Sequence, residues 1–145
     1  MLEIFKDQEE SGITVVIGCG RLGSNIANTL SDKGQDVIVI DKSRDSFRRL
    51  STGFGGYTIV GDCTDFDILD EAEIDKASVV VAVTNDDSVN LMVSQLAKKR
   101  YKTEKVVARI YDPERSRACA GNEIEVLCPS VLTAEAINKL LTEEM

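Results

Sequence analysis

Six short runs rich in β-branched residues recur along this chain of 145 residues, and a turn or a helical pattern separates each run from the next. The runs lie at residues 12–17, 36–40, 57–60, 78–83, 105–110 and 124–128. Such alternation is typical of a parallel sheet covered by helices on both faces. The run SVVVAV at residues 78–83 is apolar on both faces, which predicts a central strand. We therefore predict an α/β fold with a doubly wound parallel six-stranded sheet in the order 3-2-1-4-5-6.

The segments between the runs carry apolar residues at helical spacing. Five helices are predicted. The first runs from about Leu22 to Gly34, the second is short and contains Phe47 and Leu50, and the third begins after Thr64, its predicted cap. The fourth covers residues 86–99, and the fifth runs from Ser130 to about Leu141. In the first of these helices the apolar stripe comprises Leu22, Ile26, Ala27 and Leu30.

The last predicted helix has more apolar residues than one stripe against one sheet requires. They are Val131, Leu132, Ala134, Ala136, Ile137, Leu140 and Leu141. A second copy of the chain is the expected cover for the remaining face, which predicts a homo-oligomer with this C-terminal helix used in dimerisation. The alternative is a terminal helix packed on all sides within one molecule.

The composition restricts both the cellular location and the class of partner. No apolar stretch approaches the roughly 20 residues that span a bilayer, and the first residues, MLEIFKDQEESG, do not resemble a secretory signal. We therefore expect one cytoplasmic domain without direct membrane insertion. A net charge of −8 disfavours binding to nucleic acid or to an anionic membrane surface.

The chain contains four cysteines and no histidine. Because Cys19, Cys63, Cys119 and Cys128 form no CxxC pair, no zinc site is predicted, and the thiols are expected to be reduced and mostly buried. The absence of histidine removes the commonest general base and every Ser/His or Cys/His nucleophile pair.

The sequence GCGRLG at residues 18–23 follows the first predicted strand and opens the first predicted helix. In this context Gly18 allows a tight turn, Gly20 lets the backbone approach a pyrophosphate, and Gly23 lets the helix pack on the strand. Asp41, at the end of the second strand, is placed to accept hydrogen bonds from ribose hydroxyls. The combination favours a bound adenine nucleotide in a Rossmann-like fold over a purely structural glycine turn.

Polar residues at this sheet edge can each be interpreted in two ways. Asp41 disfavours a 2′-phosphate and so favours NAD over NADP, whereas Lys42 and Arg44 beside it offset that preference. Asp62, after the third strand, is expected either to receive the adenine amino group or to cap a helix. The stretch Thr84-Asn85-Asp86-Asp87 after the fourth strand is expected either to bind ligand or to cap the next helix.

Arg109 lies within the otherwise apolar strand VVARI. A charge there requires a partner. A ligand phosphate or an acid such as Asp86 would serve.

Several ordered motifs together resemble the N-terminal nucleotide-binding domain of the Trk/Ktr potassium-uptake regulatory subunits, the RCK or KTN (TrkA-N) family. The motifs are GCGRLG, VIVIDKS, GDCTD, VVVAVTNDDSVN and VVARIYDP. The resemblance covers roughly residues 12–141. It implies an N-terminal extension at residues 1–11 and a nucleotide-binding domain at residues 12–145. Many family members continue into a second small domain that binds a further effector.

The resemblance also implies a function. Such domains bind NAD(H) or ATP/ADP, dimerise partly through the last helix, and form a ring-shaped oligomer under a membrane-embedded potassium-transporting subunit, at the inner face of the cell membrane. The nucleotide biases the shape of the ring and so opens or closes the pore. Carried over, phosphate contacts fall to the loop with Gly18, Gly20, Arg21, Leu22 and Gly23, ribose contacts to Asp41 with Lys42 beside it, adenine contacts to Asp62 and Cys63, and the second half of the nucleotide to Thr84, Asn85 and Arg109.

A small NAD(P)-dependent oxidoreductase or a metabolite-binding accessory domain is the alternative. Tyr101 and Lys105 match the YxxxK spacing of short-chain dehydrogenases. However, this stretch is predicted to join a helix end to the fifth strand, so the two side chains are not expected one helical turn apart. We therefore predict a regulatory protein that is not an enzyme.

Overall fold

A computed structural model describes residues 12–119, 121 and 123–143, so the predicted extension at residues 1–11 lies outside the described residues. The described chain forms an all-parallel six-stranded sheet in the order β3-β2-β1-β4-β5-β6, which confirms the predicted doubly wound topology. The strands are β1 (Ile13–Ile17), β2 (Asp36–Asp41), β3 (Tyr57–Val60), β4 (Ala77–Ala82), β5 (Lys105–Arg109) and β6 (Glu125–Leu127). The predicted central strand, β4, lies between β1 and β5.

Helices follow most of the strands. They are α1 (Arg21–Asp32), α2 (Phe66–Glu71), α3 (Asp87–Lys99), α4 (Pro113–Cys119) and α5 (Pro129–Glu143), with 3-10 turns at Arg44–Arg49 and Ile74–Lys76. Among the helices described, none has both the length and the apolar character needed to cross a membrane.

The core lies on both faces of the sheet. Val15 of β1 belongs to a cluster with Leu69 and Val93, whereas its neighbour Val16 belongs to a second cluster with Ala27. Because successive side chains of a strand point to opposite faces, β1 contributes to both clusters and is buried on both sides. All four cysteines are buried and free, as predicted.

The register places the ends of the central strands side by side. Ile17 pairs with Ile40 of β2 and with Ala82 of β4. The residues that follow these strands therefore meet at one edge of the sheet, where doubly wound folds hold their ligands.

One predicted helix cap was wrong, and one helix was not predicted. Asp65 rather than Thr64 caps α2, since its carboxylate accepts the Asp67 N–H at 2.9 Å. Helix α4 was not predicted, although Asp112 accepts the Glu114 N–H at 3.0 Å and Pro113 occupies the first helical position, which are both standard start signals.

Leu22 and α5 are more exposed than the sequence pattern predicts. Leu22 is 39% exposed, so it does not belong to the buried stripe of α1. Helix α5 contains no buried residue, and Leu140 and Leu141 are 65% and 60% exposed. Within the described residues, the terminal helix is therefore not packed on all sides by its own chain.

Candidate functional site

A crevice of about 430 Å³ lies at the carboxyl ends of β1, β2 and β4, and most of the residues predicted to contact a nucleotide line it. Seven predicted residues line it: Gly18, Gly20, Asp41, Lys42, Cys63, Thr84 and Asn85. Five others do not: Arg21, Leu22, Gly23, Asp62 and Arg109. Asp86, from the stretch expected to bind ligand or to cap a helix, also lines the crevice. Other lining residues were not predicted as contacts: Ile17, Ile40, Ser46, Arg49, Gly61, Val83 and Val89.

The three glycines of the loop at residues 18–23 occupy different environments. Gly18 has φ +103°, and a Cβ there would lie 2.9 Å from both the Thr84 nitrogen and the Val83 oxygen. A Cβ at Gly23 would overlap the Gly18 carbonyl oxygen. A Cβ at Gly20 would meet no protein atom within 4 Å. Gly18 and Gly23 are thus required by packing, whereas Gly20 leaves open space where the loop lines the crevice.

The first backbone N–H groups of α1 have no side-chain acceptor at this loop. Gly20 occupies the cap position and has no side chain to accept the free N–H groups. The first turn, beginning with exposed Arg21 and Leu22, contains no acidic side chain. The positive end of the helix dipole is therefore available to an anion on the loop.

Asp41 joins the end of β2 to the glycine loop. Its Oδ2 accepts the Cys19 N–H at 2.7 Å and its Oδ1 accepts the Ser43 N–H at 2.8 Å. A carboxylate has about four acceptor sites, so capacity remains for hydroxyl donors. The same side chain therefore both orders the loop and offers the hydrogen-bond acceptors that a ribose requires.

Asp62 and Lys42 face each other beside the crevice. The Asp62 carboxylate lies 3.6 Å from the Lys42 Nζ and accepts the Thr64 N–H and hydroxyl at 2.9 and 2.7 Å. The hydrogen bonds from Thr64, followed by the nearby Lys42 charge, hold the pKa of Asp62 below its ordinary value. The prediction that Asp62 caps a helix is wrong, because Asp65 has that role.

Cys63 is buried in the crevice wall. Burial, and secondarily the adjacent Asp62 charge, raises the pKa of this thiol to about 11. Cys63 is therefore a neutral packing group at physiological pH.

Asn90 of α3 organises the wall formed by the β4–α3 loop. It is 0% exposed, its Oδ1 accepts the Thr84 N–H and hydroxyl at 2.9 and 2.6 Å, and its Nδ2 donates to the Thr84 and Arg109 carbonyls at 3.0 and 2.9 Å. Asn90 was not predicted. The available signal was an amide among the apolar residues of α3, since a buried amide requires specific partners.

Arg109 supports the same loop through backbone contacts. Its Nη2 donates to the Val83 and Thr84 carbonyls, both at 3.1 Å, and its guanidinium lies 4.7 Å from the Tyr111 ring centroid. The predicted pairing with Asp86 is wrong, because the Asp86 carboxylate caps α3 by accepting from Ser88 and Val89. The carbonyls at the end of β4 are nearer partners for the guanidinium.

The adjacent carboxylates Asp86 and Asp87 have separate partners, and Tyr101 and Lys105 of the YxxxK stretch do not share a helix. Asp87 accepts the Tyr111 and Asp112 N–H groups at 2.9 and 3.1 Å, so it does not act with Asp86 on a common atom. Tyr101 follows the end of α3, whereas Lys105 begins β5, so the YxxxK spacing does not lie on one helix. The predicted placement of this stretch is confirmed.

The family model for the TrkA-N domain matches residues 14–127. The chain belongs to the TrkA-N family. This TrkA-N chain is 43% identical over 102 residues to the Trk system potassium uptake protein TrkA of Streptomyces coelicolor, a match covering 70% of this chain and 46% of that protein. It spans about half the length of the TrkA relatives that it matches.

Two solved structures share both the fold and appreciable sequence identity with the TrkA-N chain. The GsuK channel bound to NAD has a TM-score of 0.76 and 26% identity, and the match covers 93% of this chain and 24% of that one. GsuK bound to ADP has a TM-score of 0.74 and 26% identity, and the match covers 97% of this chain and 36% of that one.

Proposed function

We propose that this TrkA-N domain binds NAD(H) or ATP/ADP in the crevice and, through that binding, regulates a potassium-transporting membrane protein. The observation that carries the proposal is the junction of the glycine loop with Asp41, where open space beside Gly20 meets free helix N–H groups and ribose acceptors. The similarity to GsuK structures bound to NAD and to ADP, and to the TrkA potassium uptake protein, supports the ligand class and the transport role.

The proposed ligand lies with its phosphates on the loop at residues 18–23, where Arg21 and Leu22 open α1. Asp41 accepts from the ribose hydroxyls. The adenine lies near Lys42, Asp62 and Cys63. The second half of the nucleotide lies against Thr84 and Asn85, with Arg109 holding that loop from behind.

The proposed regulation is a difference in binding free energy. A nucleotide that binds one arrangement of the oligomer more tightly shifts the population toward it, by at most that difference in affinity. We propose that the nucleotide is bound and released unchanged, and that the domain is not an enzyme.

We propose that α5 forms the contact between two copies of the chain. Its exposed apolar residues have no cover within the described part of the protomer, and a two-fold axis buries the same face of both helices. In the cell, the resulting dimer or ring would lie in the cytoplasm at the inner face of the membrane, against the potassium-transporting subunit.

The test is calorimetric titration of the chain with NAD, NADH, NADPH, ATP and ADP, with NAD(P)H absorbance followed in parallel. We expect tight binding of NAD(H) or of ATP/ADP without turnover. Gly20→Ala should weaken that binding at least tenfold, because the added methyl group occupies the space beside the loop.

Gly53→Ala is the matched control, since a Cβ there also meets no atom within 4 Å and Gly53 does not line the crevice. Equal affinity of the Gly20→Ala and Gly53→Ala variants would show that the phosphates do not lie on this loop. Turnover of NADPH would favour an oxidoreductase instead.

A further inference from the structure

The segment that follows β2 places two basic side chains, Lys42 and Arg49, in the lining of the crevice. Lys42 pairs with Asp62 at 3.6 Å, and Arg48 pairs with Asp45 at 2.9 Å. Arg49 lines the crevice and takes part in no ion pair with any described residue. Among the arginines of the 3-10 turn Arg44–Arg49, it alone lines the crevice.

The backbone at Arg49 is fixed to the helix that carries the glycine loop. The Asn28 side chain of α1 donates to the Arg49 carbonyl at 3.3 Å and accepts the Ser51 N–H at 2.9 Å. This two-sided amide clamp keeps the position of the Arg49 Cα constant relative to α1. The clamp joins the second half of α1, so the Arg49 backbone is held at a defined place beside that helix, and its side chain lines the crevice together with Gly18 and Gly20.

The charge of Arg49 also acts on the loop itself. Cys19 lies between Gly18 and Gly20, and burial and the Asp41 charge raise the pKa of its thiol, whereas the Arg49 guanidinium acts to lower it. The geometric observation is that Arg49 lines the same crevice as Gly18 and Gly20, the two neighbours of residue 19. The Arg49 side chain and the free N–H groups of α1 therefore border one crevice.

We propose that Arg49 is a specificity-determining residue of the crevice, whose guanidinium binds phosphate oxygens of a nucleotide seated on the glycine loop. The planar fork of arginine suits bidentate contact with phosphate. The site then distinguishes nucleotides by the phosphate charge on the loop, rather than by the base and ribose alone. This inference rests on the proposed nucleotide binding at the same crevice.

A role in binding a 2′-phosphate is the competing assignment for a basic residue in this region. The position of Arg49 argues against it. Lys42 and Arg44 lie one and three residues after the ribose acceptor Asp41, whereas Arg49 is clamped to α1 and lines the crevice together with Gly18 and Gly20.

The test compares Arg49→Ala, Arg49→Lys and Arg48→Ala by titration with ATP, ADP, AMP, adenosine, NADH and NADPH. Hydrogen bonds to charged groups contribute about 1.5–3 kcal/mol, so Arg49→Ala should weaken ATP and ADP by about tenfold or more. Adenosine should bind as to the wild type, and Arg49→Lys should recover part of the loss. Arg48 pairs outward with Asp45, so Arg48→Ala should bind all six ligands normally.

Three outcomes overturn the inference. If Arg49→Ala weakens the binding of adenosine and ATP equally, Arg49 contacts the base or the ribose. If only NADPH binds more weakly, Arg49 contacts the 2′-phosphate. If no ligand loses affinity, Arg49 does not belong to the site. Failure of the wild-type chain to bind any nucleotide would instead refute the proposed function, and this inference with it. Unfolding midpoints measured for each variant separate a binding defect from a folding defect.

Discussion

Replacement of Asn90 by alanine should destabilise the domain more than any surface asparagine replacement. Asn90→Ala removes four hydrogen bonds that join α3 to the ends of β4 and β5. Net contributions of about 0.5–1.5 kcal/mol for each of the four bonds predict a loss of about 2–6 kcal/mol, with a middle value of about 4 kcal/mol, in the free energy of unfolding. For a domain of this size the loss corresponds to a fall in Tm of about 10 °C.

Urea unfolding followed by far-ultraviolet circular dichroism measures that loss, with Asn25→Ala as the control. Asn25 is exposed on α1, so its replacement should change the free energy of unfolding by less than about 0.5 kcal/mol. The Asn90→Ala variant should also bind nucleotide more weakly, because Thr84 lines the crevice. A change below about 1 kcal/mol would show that the Thr84 loop is held by other contacts, and would refute the role assigned to Asn90.

Three further predictions test the loop, the last helix and the buried thiol. Gly23→Ala should lower stability by about 2 kcal/mol, since overlap with the Gly18 carbonyl outweighs the gain in helix propensity, and an unchanged urea midpoint would contradict this packing. The double variant Leu140→Glu/Leu141→Glu should sediment as a monomer while keeping its helical circular dichroism, because neither side chain is buried within the protomer; a persisting dimer would exclude α5 as the contact. The pKa of Cys63 is raised to about 11 from an ordinary 9.0, so the free energy of unfolding should fall as pH rises from 9 to 11, because the thiol of the unfolded chain loses its proton first. Urea unfolding measured across this pH range should show a smaller fall for Cys63→Ala than for the wild type. The same pH dependence in both proteins would disprove the assignment.

Local patterns predicted the sheet because its central strands β1, β2 and β4 are runs rich in β-branched residues and are largely buried. They also predicted the places of Gly18 and Asp41, since a glycine or an acidic residue at the end of a strand can be recognised from a few neighbouring residues. Local patterns did not distinguish Thr64 from Asp65 as the cap of α2. Both residues can cap a helix, and the choice depends on the bond from Thr64 to Asp62.

The sequence by itself determined the alternation of elements, the strand order and the edge of the sheet where a ligand would lie, because these follow from hydrophobic burial and backbone connectivity. Only the tertiary structure revealed Arg49 in the crevice and Asn90 as the support of its wall. Their partners lie 6 to 21 residues away along the chain and meet them through side-chain geometry. Periodicity reports which face of an element is buried, but the hydrogen-bond partner of a polar side chain depends on how several elements pack together.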